Sequence, residues 1–390
     1  MRLIKRIRQD ERGMSFVFVG MGFMAFLATT MLAIDVGMFM TARAQAQNAA
    51  DAGAHAGAVS LFQDSYTDRT PGGPVVQSAI TAAKANPVIA QEVSVNPEDV
   101  TFPNDELGEP NRVKVNVHRT STRGNAVSTI IGSIFNTYSG NITASAVAEV
   151  SPANAMTCVK PFTIPDKWIE KQTPGWDADD TYDAFDNKGQ PLANPDIYIP
   201  AANCPTCPPN PDYTGYNNER ERGERLVIRA GSGNNITVSF YFSIAIAGVT
   251  GGAEYDWNIA NCNTHVMEWN ELLLQEPGNM MGPTISGAEI LYNRDPTAIW
   301  DEVHKKVINS AYPGQSPRVF PIPLYDPIYY DEGKRNGRYA DLKVANWIGF
   351  FLEEIRGNQL YGRIIPIAGI RKTGANAPSN LFPKAIRLVG

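Results

Sequence analysis

MSFVFVGMGFMAFLATTMLAI, residues 14–34, runs for twenty-one residues without a charge and is ended by Asp35. At about 1.5 Å per residue, a helix of this length spans ~30 Å, the thickness of a bilayer's hydrocarbon core. Before it stand Arg2, Lys5, Arg6, Arg8 and Arg12 against Asp10 and Glu11; after it, the next twenty residues hold one base, Arg43. The positive-inside bias places the N-terminus in the cytoplasm and the bulk of the chain outside. A cleavable signal peptide is the competing interpretation. The apolar run is longer than a usual signal core, however, and the small-residue stretch beyond it continues as helix. An uncleaved anchor is expected.

The helix is expected to run beyond the membrane, because Thr41–Ser60 contains nine alanines and no proline. Gly53 and Gly57 make a flat face at spacing four, and Ala25, Thr29, Ala33 and Gly37 form a second small-residue seam inside the apolar run. Small residues at that spacing let helices approach closely in lipid, so packing against another helix is expected. Asp35 falls at the outer headgroup level. It is either an exposed acid ending the span or a register determinant paired with a base on a neighbouring chain.

The residues Glu11-Arg12-Gly13, AIDVG at 33–37 and QNAADAGAHAGA at 47–58 resemble the N-terminus of TadE/TadG-like proteins of tight-adherence (Tad, or Flp) pilus assembly systems. The shared pattern is an acid at the outer end of the span followed by a helix carrying Asn48 and Asp51. The resemblance implies a membrane protein that contacts other Tad assembly or pilin subunits through this helix. Two departures stand out. Gly13 is followed five residues later by Phe18, where prepilin-type processing of related pseudopilins uses Glu, and the D-x-S-x-S metal string of a von Willebrand A domain is missing. Segments 161–170, 276–284 and 316–327 resemble larger TadE/TadG-like proteins without that domain and imply no chemistry.

Composition is ordinary for a folded protein, with 19% charged and 43% hydrophobic residues. Net charge is −6; without residues 1–12, 29 bases face 38 acids, or −9. An acidic ectodomain without a basic tract argues against nucleic acid as a partner. The cysteines are Cys158, Cys204, Cys207 and Cys262, all on the expected outer side, where disulfides persist. Counting permits three pairings. Cys204 with Cys207 and Cys158 with Cys262 is preferred, since Pro205, Pro208 and Pro209 stiffen the short loop.

Along the chain, Val75–Ala85 has a short-helix pattern, and Arg112–Arg119 and Ile142–Val150 alternate as strands. Residues 125–135 place Val127, Ile130, Ile131 and Ile134 at helical spacing. Beyond Pro152, residues 158–218 predict irregular structure, and 236–247 a twelve-residue strand. Asp295-Pro296 predicts a capped helix bearing Ile299, Val303 and Val307. Residues 318–324 predict extended chain, and 342–352 with 360–367 a hairpin turning at Gly357. The expected class is α+β: a transmembrane helix extended into a long helix with a small α+β module, then a β-rich, sandwich-like domain. The expected divisions are a cytoplasmic basic segment 1–12, an anchor 13–40, a pilin-like α+β module 41–152 and an extracytoplasmic head 153–390.

Catalytic signatures are sparse. H-E-x-x-H, G-x-S-x-G, a Walker loop and G-x-G-x-x-G are all missing. Cys204-Pro-Thr-Cys207 matches a redox C-x-x-C only superficially, because two prolines follow where a helix N-terminus would be needed. Asp177, Asp179, Asp183 and Asp186, with Asp180 and Asn187 among them, form an acidic loop that could offer oxygens to calcium, without the D-x-D-x-D-G spacing. Otherwise no cofactor is expected. The sequence therefore predicts a non-enzymatic, single-pass component of a Tad/Flp-type pilus or its assembly apparatus in a bacterial cytoplasmic membrane. Its head would be periplasmic or extracellular, and a homo-oligomer is allowed. Alternatives are a tethered adhesin binding carbohydrate through Tyr213, Tyr216 and Trp257, or a tethered hydrolase.

Overall fold

The structure is a computed structural model. It describes residues 12–64, 67–106, 108–132, 136–173, 175–186, 188–201, 210–231, 235–278, 280–335, 342–374 and 377–389. In chain order come α1 (Arg12–Gln63), α2 (Pro74–Lys84), β1 (Val100–Thr101), β2 (Arg112–Arg119), β3 (Val127–Ser128), β4 (Ser139–Gly140), β5 (Ile142–Pro152), β6 (Ala155–Met156) and β7 (Phe162–Pro165). Then follow β8 (Arg225–Ala230), β9 (Phe240–Ser243), α3 (Gly252–Ala260), β10 (Met267–Glu268), β11 (Leu272–Leu273), α4 (Met281–Arg294), β12 (Ile299–Asp301) and β13 (Lys306–Ile308). The chain ends with β14 (Val319–Tyr325), α5 (Pro327–Arg335), β15 (Leu342–Arg356), β16 (Gln359–Ile365) and β17 (Lys384–Leu388).

The C-terminal half of α1 lies on an antiparallel sheet of order β1-β2-β5-β17, beside α2. Pro74 opens α2 at the position where a missing N–H costs nothing, and Val75, Val76, Ala79 and Ala83 are buried. Val113, Val115 and Val117 alternate inward on β2 opposite Ala148, Ala146 and Ala144 of β5. Against these small residues α1 sets Ala42, Ala46, Ala49, Ala50, Ala54 and Ala58, all buried. Gly53 and Gly57 let the layers close: a Cβ on Gly57 would stand 2.8 Å from Val113 Cγ1 and 3.1 Å from Ala79 Cβ. The outer small-residue face thus packs within the chain. Glu149, nearly buried on β5, holds Arg112 of β2 at 2.7 Å and Arg387 of β17 at 2.9 Å.

The α+β class and the β-rich second region match the sequence expectation, and the sheet of that region closes on itself. Its sheet has the order β11-β15-β14-β7-β9-β8-β16, and β16 also pairs with β15. Six strands therefore form a closed barrel instead of two stacked sheets. The length of β15 makes this possible, since it pairs with β14 over 344–351 and with β16 over 349–356. Irregularities at Leu324/Tyr325 and Leu352/Glu354 supply the bend. The predicted hairpin turn is at Gly357, with φ 55°. Phe162, Ile322, Leu324, Trp347, Phe350 and Leu352 belong to the barrel core.

Three local expectations fail. Residues 125–135 are not a helix: Val127–Ser128 pairs with Ser139–Gly140 as a small ribbon, and 133–135 lie outside the described residues. Asp295 does not start a helix but follows the end of α4; its carboxylate accepts Ser310 Oγ and Ser316 Oγ at 2.6 Å and the Ala311 N–H at 3.0 Å. Those distant donors outweigh a local cap, and residues 299–308 form the β12–β13 hairpin. The twelve-residue strand shortens to β9 because the chain turns at Thr237, whose carbonyl accepts the Phe240 N–H at 3.0 Å. That turn shifts parity and sends Tyr241 inward.

Candidate functional site

α1 has two unlike halves. From Ala42 onward it is covered by α2 and the sheet, whereas Phe16, Phe18, Phe23, Met24, Phe26 and Leu32 all stand exposed. Residues 13–40 amount to about 40 Å of helix. Among the described residues, α1 is the one helix long and apolar enough to cross a membrane. Ala25, Thr29, Ala33 and Gly37 lie along this bare half, and Thr29 Oγ1 is tied back to the carbonyls of Ala25 (3.1 Å) and Phe26 (2.9 Å). The seam therefore offers a smooth, polar-neutral strip.

The junction of the halves is built around Asp35. It is 6% exposed, and its carboxylate accepts three successive backbone N–H groups, from Ile130 at 2.9 Å, Ile131 at 3.1 Å and Gly132 at 2.7 Å. One turn on, Phe39 lies against Gly140, where a Cβ would come within 2.5 Å of its ring. Asp35 and Phe39 thus clamp the two ends of the β3–β4 loop onto α1. Neither sequence expectation for Asp35 includes this partner, which is 95 residues away. Asp35→Ala would leave three amides without their acceptor. We expect it to free residues 130–132 while α1 stays helical, seen as rapid hydrogen exchange at those amides with the α1 amides unchanged.

Asn48 is exposed, and Asp51 accepts Gln47 Nε2 at 2.9 Å; the same nitrogen donates to Ser145 O at 3.1 Å, tying α1 to β5. Cys158 and Cys262 form a disulfide across 104 residues, from the start of the barrel region to the end of α3. Cys204 and Cys207 lie outside the described residues. Closing a loop of that length restricts the unfolded chain, so reduction is expected to cost about 4–5 kcal/mol in the chain-entropy account. A thermal melt with and without reductant checks it; an unchanged midpoint would contradict a stabilising bridge.

The acidic loop serves local structure. Asp177 accepts the Asp179 N–H at 2.8 Å, and Asp179 pairs with Arg229. The Asp183 N–H donates to Asp196 at 2.7 Å, and Asp186 accepts the N–H groups of Lys188 and Gln190, both at 2.8 Å. Among the described residues no three acidic, His or Cys side chains converge as a metal-holding group. Tyr213 and Tyr216 are core residues, so they cannot serve as a sugar platform; Trp257 is half exposed. His118, His265 and His304 each face one carboxylate, of Asp99, Glu271 and Asp301. Burial, with Arg294 nearby, pushes the Lys160 ammonium down to about 7, and its Nζ donates to Asn261 O at 2.8 Å, holding the end of α3.

One half of α1 is thus bare and apolar, and the other half is packed on an antiparallel sheet. Residues 13–60, which are this helix, match the family model "Putative Flp pilus-assembly TadE/G-like". The match covers α1 and none of the barrel. No curated protein and no solved structure matches the chain.

Proposed function

We propose that this protein is a single-pass, non-enzymatic component of a Tad/Flp-type pilus or its assembly apparatus, with its N-terminus in the cytoplasm and its barrel-bearing head outside. The observation that carries the reading is the bare apolar half of α1 within the segment that matches the pilus-assembly family. The five bases of residues 1–12 support the orientation, and the Cys158–Cys262 bridge fits an oxidising compartment. The exposed strip Ala25, Thr29, Ala33 and Gly37 is where a helix of another subunit would pack, in lipid, by close approach.

Protease added outside opened envelopes is expected to digest the chain beyond about residue 40 and leave a small membrane fragment. Recovery of the intact chain in a soluble fraction would sink the reading. Replacing Ala33 and Gly37 with leucine should keep insertion and abolish co-purification with other Tad subunits. Unchanged co-purification would move the contact elsewhere. The adhesin alternative keeps only Trp257 of its three aromatics, and binding of the full chain to a glycan array would revive it.

A further inference from the structure

We propose that the described parts of the β3–β4 loop, residues 127–132 and 136–140, form a foot that rests on the outer surface of the bilayer crossed by α1; this rests on the anchor reading above. The loop is clamped at the level where the bare half of α1 ends. Asp35 holds residues 130–132 and Phe39 holds Gly140, while Val36 and Met40 on the same turns of α1 are exposed. Beside them the loop presents Ile130, 62% exposed, and Tyr138, 66% exposed. In a chain that is 19% charged, no charged residue stands between Arg123 and Glu149. An exposed aliphatic side chain and an exposed tyrosine on a charge-free stretch, continuous with an apolar helix, have the chemistry of the interfacial belt, where an aromatic ring sits among acyl chains and its hydroxyl stays wet.

Asp35 makes this placement affordable. At the edge of the hydrocarbon a bare carboxylate and three bare amides would each carry a desolvation cost, and here they satisfy one another. The occupant is therefore lipid, not a second protein: the loop lies against the membrane-spanning helix of its own chain. A head attached by the helix and by this foot is fixed in height and tilt above the bilayer.

The test uses the full chain in phosphatidylcholine–phosphatidylglycerol vesicles, with photoreactive benzoylphenylalanine at one of three exposed positions, Phe23, Tyr138 or Val303. Val303 is the distant control. It belongs to the β12–β13 turn, which Arg222 ties through Lys305 O (3.3 Å) to Asp64 O (3.4 Å) at the far end of α1. That is about 40 Å along the helix from Asp35. Lipid adducts are expected at 23 and 138, several-fold above 303, and Asp35→Ala should lower the adduct at 138 while sparing that at 23. An adduct at 23 with none at 138 would overturn the foot and leave the anchor standing. No adduct at 23 would overturn the anchor and the foot with it. In whole cells, a protein adduct at 138 in place of lipid would overturn the lipid assignment.

Discussion

Replacing Arg318 with alanine is expected to leave the barrel region unfolded or barely folded. Arg318 is buried, and its guanidinium donates to Leu352 O at 2.8 Å, Asp295 O at 3.0 Å, Ala298 O at 2.9 Å and Glu353 O at 2.9 Å. It lies 4.2 Å from the Tyr292 ring centroid and 4.9 Å from that of Phe351. One side chain thus joins the end of α4, the start of the β12–β13 hairpin and the bent part of β15. Alanine would strip a charged donor from four carbonyls, of which Asp295 O keeps the Ala298 N–H at 3.3 Å, each loss costing about 1–3 kcal/mol, and would remove the positive charge near the buried Asp295 carboxylate. The sum, about 5–10 kcal/mol, approaches the whole stability of a typical domain. Urea denaturation of the full chain in detergent measures it. Lysine should recover only part, because it lacks the planar five-donor fork. A wild-type midpoint for Arg318→Ala would refute the assignment.

Asp166→Ala should cost nearly as much, about 4–6 kcal/mol. The carboxylate is fully buried and accepts the hydroxyls of Tyr198 (3.0 Å) and Tyr213 (2.9 Å) and the N–H groups of Tyr216 and Lys167 (both 2.9 Å). Tyr213 passes the network on to Asn346, which receives the Phe382 N–H at 3.0 Å. Burial pushes the Asp166 carboxyl up to about 6, outweighing the hydrogen bonds that hold it down. The folded state therefore binds the proton more tightly than the unfolded chain, whose aspartates titrate near about 4. This term is fully present below about pH 4 and is lost as pH rises through about 6, a change of about 3 kcal/mol. Lys160 works in the opposite direction at higher pH, so the quantity to measure is the difference between wild type and Asp166→Asn from pH 4 to pH 7. Parallel pH profiles for the two would disprove the protonation.

Elements with a local signature were legible in the sequence. The alanine-rich run set α1, alternating valines set β2, and Gly357 sat between two periodic runs. The features that were not legible depended on partners far along the chain. Val127, Ile130, Ile131 and Ile134 fall at helical spacing, but Asp35 claims the amides that a helix would have needed. Asp295-Pro296 reads as a cap until Ser310 and Ser316 take the carboxylate. Barrel closure rests on pairings such as Leu360 with Ile228, which no periodicity reports. Of the site, the small-residue strip and the position of Asp35 were visible, while the loop that Asp35 holds was not. The one signal for Asp166 and Arg318 was charge set among apolar residues, Asp166 beside Lys167 in PFTIPDKW and Arg318 alone in SPRVFPIP.

The last strand, β17, returns to the first sheet, so everything from β6 to residue 383 is an insertion between two neighbouring strands, β5 and β17. Translation order then acquires a meaning. When β5 leaves the ribosome its outer edge has no neighbour, and Glu149 has Arg112 but not yet Arg387. Both remain incomplete until residues 384–388 have been made. A chain cut short anywhere in the barrel keeps an open strand edge and a half-compensated carboxylate, the kind of lesion that invites mispairing. Completion of the first sheet is thereby made to wait until the whole barrel has been synthesised.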